Sequence, residues 1–245
     1  RSLCTAARRR MRFRATRRSR MRPPSLVLLL ALAAAIVAVP VARAADADCA
    51  NEIARHVQQR YEKVRDLSAH FEQTTRRVAL GDGGGDALVA RGDVVFAKPG
   101  KMRWAYESPE PSLVVSDGAT LWIYDPKARE VQKLSLGEGH LSAAGVQFLL
   151  GEGKLLDEFR VTASGCGDAT VTLGLTPKRE AQYERLEMRV DRVSFAVRET
   201  SVVDLFGNRT TIAFDELREN TKPAADLFAF TPPEGVRVLS VPGAP

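Results

Sequence analysis

The stretch KPGKMRWAYESPEPSLVVSDGATLWIYDP, residues 98–126, decides the fold class. Met102, Trp104 and Tyr106 alternate with Lys101, Arg103 and Ala105, the period of two expected of a strand with one apolar face. Pro109 and Pro111 interrupt the chain, and Leu113-Val114-Val115 makes a short strand. Ser116-Asp117-Gly118-Ala119 then turns it into Leu121-Trp122-Ile123-Tyr124, and Asp125-Pro126 turns it again into residues 130–136. Short strands joined by such tight turns form an antiparallel meander.

The same rhythm extends in both directions. Upstream, Leu67, Ala69 and Phe71 alternate with Ser68, His70 and Glu72, and a further strand runs from Leu88 to Phe96. Gly81-Asp82-Gly83-Gly84-Gly85-Asp86 lies between them as a hairpin loop; it lacks the ligand spacing and closing Glu of a calcium loop. Downstream, strands are expected over 159–163, 170–176, 183–190, 196–205 and 209–217, with Gly207-Asn208 turning the last hairpin. Residues 226–238 read as an edge segment because of Pro232 and Pro233.

Two stretches break the rhythm. Ile53, Ala54, Val57, Tyr61 and Val64 recur at spacings of three and four, which predicts a helix over 48–64 with Asp48 as its N-cap. Leu141, Ala144, Val146, Phe148, Leu149 and Leu150 sit between Gly137-Glu138-Gly139 and Gly151-Glu152-Gly153, as one or two short apolar helices between glycine hinges. The expectation is a mainly β protein with helices: one antiparallel sheet of about ten to eleven strands, curled into a barrel or half-barrel.

The chain has 245 residues and a formal charge of +6, but the charge is unevenly placed. Residues 1–44 carry eleven arginines and no acid, leaving 25 basic against 30 acidic groups in the remainder. A basic surface for nucleic acid or anionic lipid headgroups is thereby excluded as the expectation. Arginines, then the apolar run from Leu26 to Val39, then Ala42-Arg43-Ala44, have the three parts of a secretory signal peptide. Residues 1–44 are read as a leader, with Met21 as the natural start, and residues 45–245 as a single domain. The leader is of the general export type; residues 16–20 only faintly resemble a twin-arginine signal, and the residues before Cys49 do not suit lipidation. In the oxidising compartment that export implies, Cys49 and Cys166 can form a disulfide or remain free thiols.

Catalytic patterns are missing from the sequence. His56, His70 and His140 show no metal-ligand spacing, and there is no G-x-S-x-G elbow. Gly153-Lys154 is followed by Leu155, with Phe148 at the first-glycine position, so a phosphate loop fails at both ends. The reading is a protein without enzymatic activity, cofactor or metal. What remains is apolar surface, since Leu121-Trp122-Ile123-Tyr124 would be apolar or amphipathic on both faces of a sheet. Two arrangements fit: an ordinary packed core, or a curled sheet whose inner face takes an apolar ligand under the 141–150 insertion.

Several segments taken together are more specific. Residues 98–104, residues 115–126 and FAFTPPEGV at 228–236, together with DLSAHFEQT at 66–74 and Leu175-Thr176-Pro177-Lys178, resemble the periplasmic outer-membrane lipoprotein carrier (LolA-like) family over residues 49–239. The resemblance implies an unclosed antiparallel β-barrel with an N-terminal helix and a short helical lid. It implies a monomeric periplasmic chaperone that takes acylated lipoproteins from an inner-membrane lipoprotein-releasing ABC transporter, shields their acyl chains, and delivers them to an outer-membrane lipoprotein receptor. On this basis Trp104, Tyr106, Trp122 and Tyr124 are expected at the cavity wall or mouth, and Val146, Phe148 and Leu149 in the lid. The family's Arg-Pro latch is replaced by Lys98-Pro99, which keeps the charge and loses the planar fork. Met102 would be an apolar contact for the transporter, and a Cys49–Cys166 bridge, which the family does not usually have, would limit opening. Other readings on the same fold are a carrier or sensor of a different lipid; a secreted hydrolase is the reading from another class.

Overall fold

The structure, a computed structural model, describes residues 41–78, 87–136 and 154–241, with side chains from 47 to 240. Helix α1 (Val41–Lys63) leads into β1 (Asp66–Arg76), β2 (Leu88–Ala97), β3 (Lys101–Ser108), β4 (Ser112–Asp117), β5 (Thr120–Asp125) and β6 (Glu130–Ser135). The short helix α2 (Leu155–Glu158) precedes β7 (Phe159–Ser164), β8 (Thr170–Pro177), β9 (Tyr183–Asp191), β10 (Val197–Asp204) and β11 (Arg209–Glu219). A 3₁₀ turn (Ala225–Phe228) and β12 (Arg237–Val241) complete the order.

All twelve strands belong to one sheet, in the order β12-β6-β5-β4-β3-β2-β1-β11-β10-β9-β8-β7, so the sheet does not close on itself. Every neighbouring pair is antiparallel except β12 with β6, which is parallel. The expected unclosed antiparallel sheet is present, with twelve strands where about ten to eleven were expected, and only the C-terminal edge strand departs from the antiparallel rule. It begins at Arg237, after the prolines, and the segment before it crosses the sheet and returns in the direction of β6.

The expected stripe is present: Ile53, Ala54, Val57 and Tyr61 on helix α1, and Val64 just beyond its end, are all buried. The start of α1 differs from the expectation, because Asp48 lies inside the helix rather than capping it. Val41-Ala42-Arg43-Ala44-Ala45 is rich in strong helix formers, and that propensity outweighs the capping preference of a single Asp. The Tyr61 hydroxyl accepts a hydrogen bond from the Val197 amide at 3.0 Å, and the Arg60 guanidinium reaches the Ser194 carbonyl and Glu219, fixing the helix to β10 and β11.

The helix stripe and one face of the sheet form a single apolar cluster that runs from Met102 and Trp104 on β3 to Phe159 on β7. These strands lie seven neighbours apart in the sheet, which would be about 34 Å in a flat sheet. The buried stripe of α1 is only about 17 Å long. The sheet therefore curls around the helix, and the face shared with α1 is its inner face. The β2 and β3 backbones approach closely at Gly92, where a bulge interrupts their register. A Cβ there would stand 1.9 Å from the Ala105 carbonyl oxygen, so only glycine fits.

A second, smaller core lies on the outer face. Val115 and Val131 are fully buried there, beneath the 3₁₀ turn and its Phe228. The Arg103 guanidinium donates to the Leu227 carbonyl, and Phe230 packs against Trp122 and Tyr124 at centroid distances of 6.3 and 5.7 Å. The C-terminal segment thus straps the outside of β3–β6.

Candidate ligand-binding wall

Alternation along β3 turns Met102, Trp104 and Tyr106 to the inner face, and the register carries that face to Val114 on β4 and Ile123 on β5. Phe71 on β1 and Phe96 on β2 complete an aromatic group. Phe71 meets Trp104 edge-on at 4.8 Å and Tyr106 at 5.0 Å, and Phe96 meets Trp104 at 5.5 Å. Such edge-to-face pairs each add about 0.5–1.5 kcal/mol beyond burial and hold the rings in fixed orientations. The Tyr106 hydroxyl donates to Gln73 Oε1 at 3.0 Å, and burial raises its pKa above the ordinary 10.0.

Coverage of this wall is uneven. Val94, Phe96, Met102 and Trp104 are buried, whereas Val114, Leu121 and Ile123 at the β4–β5 end are only half-buried. An apolar inner wall that is buried at one end and, among the described residues, half-covered at the other is suited to receiving an apolar guest.

Of the four aromatic residues expected at the cavity wall or mouth, the structure brings two together and separates two. Trp104 and Tyr106 lie on it, their rings 6.4 Å apart and nearly parallel. Trp122 pairs with Val115 and Tyr124 with Leu113, which places both on the outer face beneath Phe230. The reason is pleat parity: Trp104 pairs with Val114, and the next residue, Val115, points the other way. Met102, expected to meet a transporter, is instead buried beside Trp104 with only 6% exposure. The lid residues Val146, Phe148 and Leu149 lie outside the described residues.

Lys98 contacts the end of α1: its Nζ donates to the Tyr61 carbonyl, and its amide to the Arg65 carbonyl. Burial lowers the Lys98 pKa, and Glu62 partly restores it. Pro99 follows in the turn to β3, where Gly100 takes a positive φ of 62° against Gly118. Cys49 and Cys166 are bonded, with Cα atoms 6.4 Å apart, joining the early part of α1 to the β7–β8 turn.

Phe71, Phe96 and Gln73 were not singled out from the sequence. Their period-two spacing marks them as facing inward but does not distinguish a ligand wall from a packed core. No group of three or more His, Cys, Asp or Glu able to hold a metal occurs among the described residues. No helix among them is long and apolar enough to cross a membrane.

A family model described as outer membrane lipoprotein carrier protein LolA matches residues 62–231. The chain is 34% identical over 174 residues to the outer-membrane lipoprotein carrier protein of Cupriavidus necator, covering 70% of this chain and 81% of that one. It is 31% identical over 204 residues to the protein of the same name from Chromobacterium violaceum, covering 83% and 93%. Among solved structures, a LolA superfamily protein from Nitrosomonas europaea superposes with a TM-score of 0.40 and 11% identity, over 74% of this chain and 97% of that one.

Proposed function

The chain belongs to the outer-membrane lipoprotein carrier family, and from that premise we propose that it shields the acyl chains of lipoproteins as they cross the periplasm. The observation that carries this reading is the half-covered apolar wall at Val114, Leu121 and Ile123, continuous with the buried aromatic group around Trp104. Each CH₂ withdrawn from water contributes about 0.8 kcal/mol, so one fatty chain of fifteen methylenes exposes roughly 12 kcal/mol of unfavourable surface. Several such chains on one lipoprotein multiply that cost beyond what allows it to cross the aqueous gap at useful rates, and the wall supplies a temporary apolar surface. Aromatic and aliphatic side chains bind methylenes without directional bonds, which lets a cargo be handed on.

In this reading residues 1–44 are removed on export and residues 45–245 act as a monomer in the periplasm. An inner-membrane ABC transporter releases the lipoprotein to the carrier, and an outer-membrane receptor accepts it. The energy comes from the transporter's ATP, and the carrier itself performs no catalysis. The oxidising periplasm supports the Cys49–Cys166 bond.

The test is release of lipoprotein from inner-membrane vesicles that contain the transporter and ATP. The expected result is a soluble one-to-one complex on gel filtration. Lipoprotein that stays in the membrane in the presence of the folded protein overturns the proposal.

A further inference from the structure

Four exposed apolar side chains gather at one rim of the sheet. Phe206 is 84% exposed, Leu205 65%, Val78 57% and Leu88 56%. The register places them together: β1 ends with Thr75 opposite Leu88 of β2 and Arg76 opposite Arg209 of β11, while Leu205 and Phe206 form the turn from β10 into β11. The strand ends β2, β1, β11 and β10 are consecutive in the sheet, so the rim is about 15 Å wide. The Val78 amide donates to Asn208 Oδ1 at 3.0 Å, and the Val78 side chain lies against Gly207, which joins the two hairpins into one surface.

Folding does not account for these residues. A turn position favours Gly, Asn, Asp or Ser, and a phenylalanine this exposed gains no burial from the fold. Single exposed apolar residues are ordinary, but a contiguous group is not. The turn that presents Phe206 is also rigid: Asp204 accepts from the amides of Phe206 and Asn208, each at 2.9 Å, and from the Asn208 side chain at 2.7 Å. Arg76 and Arg77 flank the group, exposed and without a carboxylate partner among the described residues. Glu187 nearby is already engaged by Arg209 and Arg185.

An apolar tip flanked by two exposed cations is complementary to a bilayer with anionic phospholipid headgroups. We infer that this rim is a membrane-contact edge: Phe206, Leu205, Val78 and Leu88 enter the headgroup boundary of an anionic phospholipid bilayer, and Arg76 and Arg77 pair with its phosphates. The contact is shallow and reversible, as four side chains and two charges dictate.

The test is co-sedimentation of the processed protein, purified from the periplasm, with vesicles of phosphatidylethanolamine and phosphatidylglycerol, against vesicles of phosphatidylcholine alone. Binding to the anionic vesicles is expected, weakening between 0.1 and 0.5 M salt, roughly, as screening sets in. Phe206→Asp should lower it about tenfold, and Arg76→Glu or Arg77→Glu about fivefold each. Val193→Asp, at an 88% exposed site on another turn, should leave it unchanged. All four sites are exposed, so the circular dichroism spectrum and thermal midpoint should not move. No binding to the anionic vesicles overturns the inference, as does equal binding by Phe206→Asp. Self-association that Phe206→Asp abolishes, without vesicle binding, also overturns it and assigns the rim to a second copy of the chain. The vesicles carry no lipoprotein, so either result leaves the carrier reading to its own assay.

Discussion

Trp104 and Trp122, the two tryptophans of the chain, lie on opposite faces of one sheet. Trp104 is 6% exposed on the inner wall, whereas Trp122 packs against Phe230 of the C-terminal strap. Their cross-strand partners, Val114 and Val115, are adjacent in sequence. Two residues of one type, on strands separated only by β4, therefore meet different surroundings.

That separation is open to mutation. Leu121→Glu, on the half-covered inner wall, should abolish formation of the soluble lipoprotein complex while the protein stays folded. Trp122→Ala should leave complex formation intact and lower stability by about 2–3 kcal/mol, because it removes the packing surface for Phe230. Release assays beside urea titrations measure both.

Tyr106→Phe keeps the ring against Phe71 and removes the donor to Gln73. A loss of about 1 kcal/mol is expected in urea unfolding, since the Gln73 carbonyl is left without that partner. A loss above about 3 kcal/mol would mean that the pair anchors more of the wall than its single bond.

Gly92→Ala places a methyl 1.9 Å from the Ala105 carbonyl oxygen, and backbone must move to relieve it. Destabilisation of at least about 3 kcal/mol is expected, the range in which strain at a special backbone site falls. A thermal midpoint equal to wild type would show that the two strands part at Gly92 without strain.

The Cys49–Cys166 bond closes a loop of sequence separation 117. In the chain-entropy model such a loop contributes up to about 4–5 kcal/mol by restricting the unfolded state. Dithiothreitol, or the paired change Cys49→Ala with Cys166→Ala, should lower the denaturation midpoint by a corresponding amount. If the bridge also limits opening, lipoprotein transfer per minute should rise in the reduced protein.

Acid sensitivity should centre partly on Glu187. Its hydrogen bonds to Arg209, at 2.7 and 3.1 Å, hold its pKa below the ordinary 4.5, with Arg185 adding to the effect. A carboxylate whose folded pKa is depressed stabilises the fold above its unfolded value and loses that contribution as pH falls through the folded one. Stability should therefore fall below about pH 4.5, and Glu187→Gln should flatten that fall. A slope between pH 5 and 2 unchanged from wild type would count against it.

The sequence by itself determined the strands, the helix stripe and the family. Alternation at Met102, Trp104 and Tyr106 located β3, and the spacing of Ile53, Val57, Tyr61 and Val64 located the buried face of α1, because both periods follow directly from backbone geometry. What it left open was which alternating face became the inner one on each strand. A shift of one residue across the β4 pairing separates Trp122 and Tyr124 from Trp104 and Tyr106, and no local pattern encodes that shift. Tertiary structure also decided that Phe230 covers Trp122 from outside and that Leu205, Phe206, Val78 and Leu88 meet at one rim. These contacts join segments more than a hundred residues apart, and only the register of the closed hydrogen-bond ladders brings them within reach.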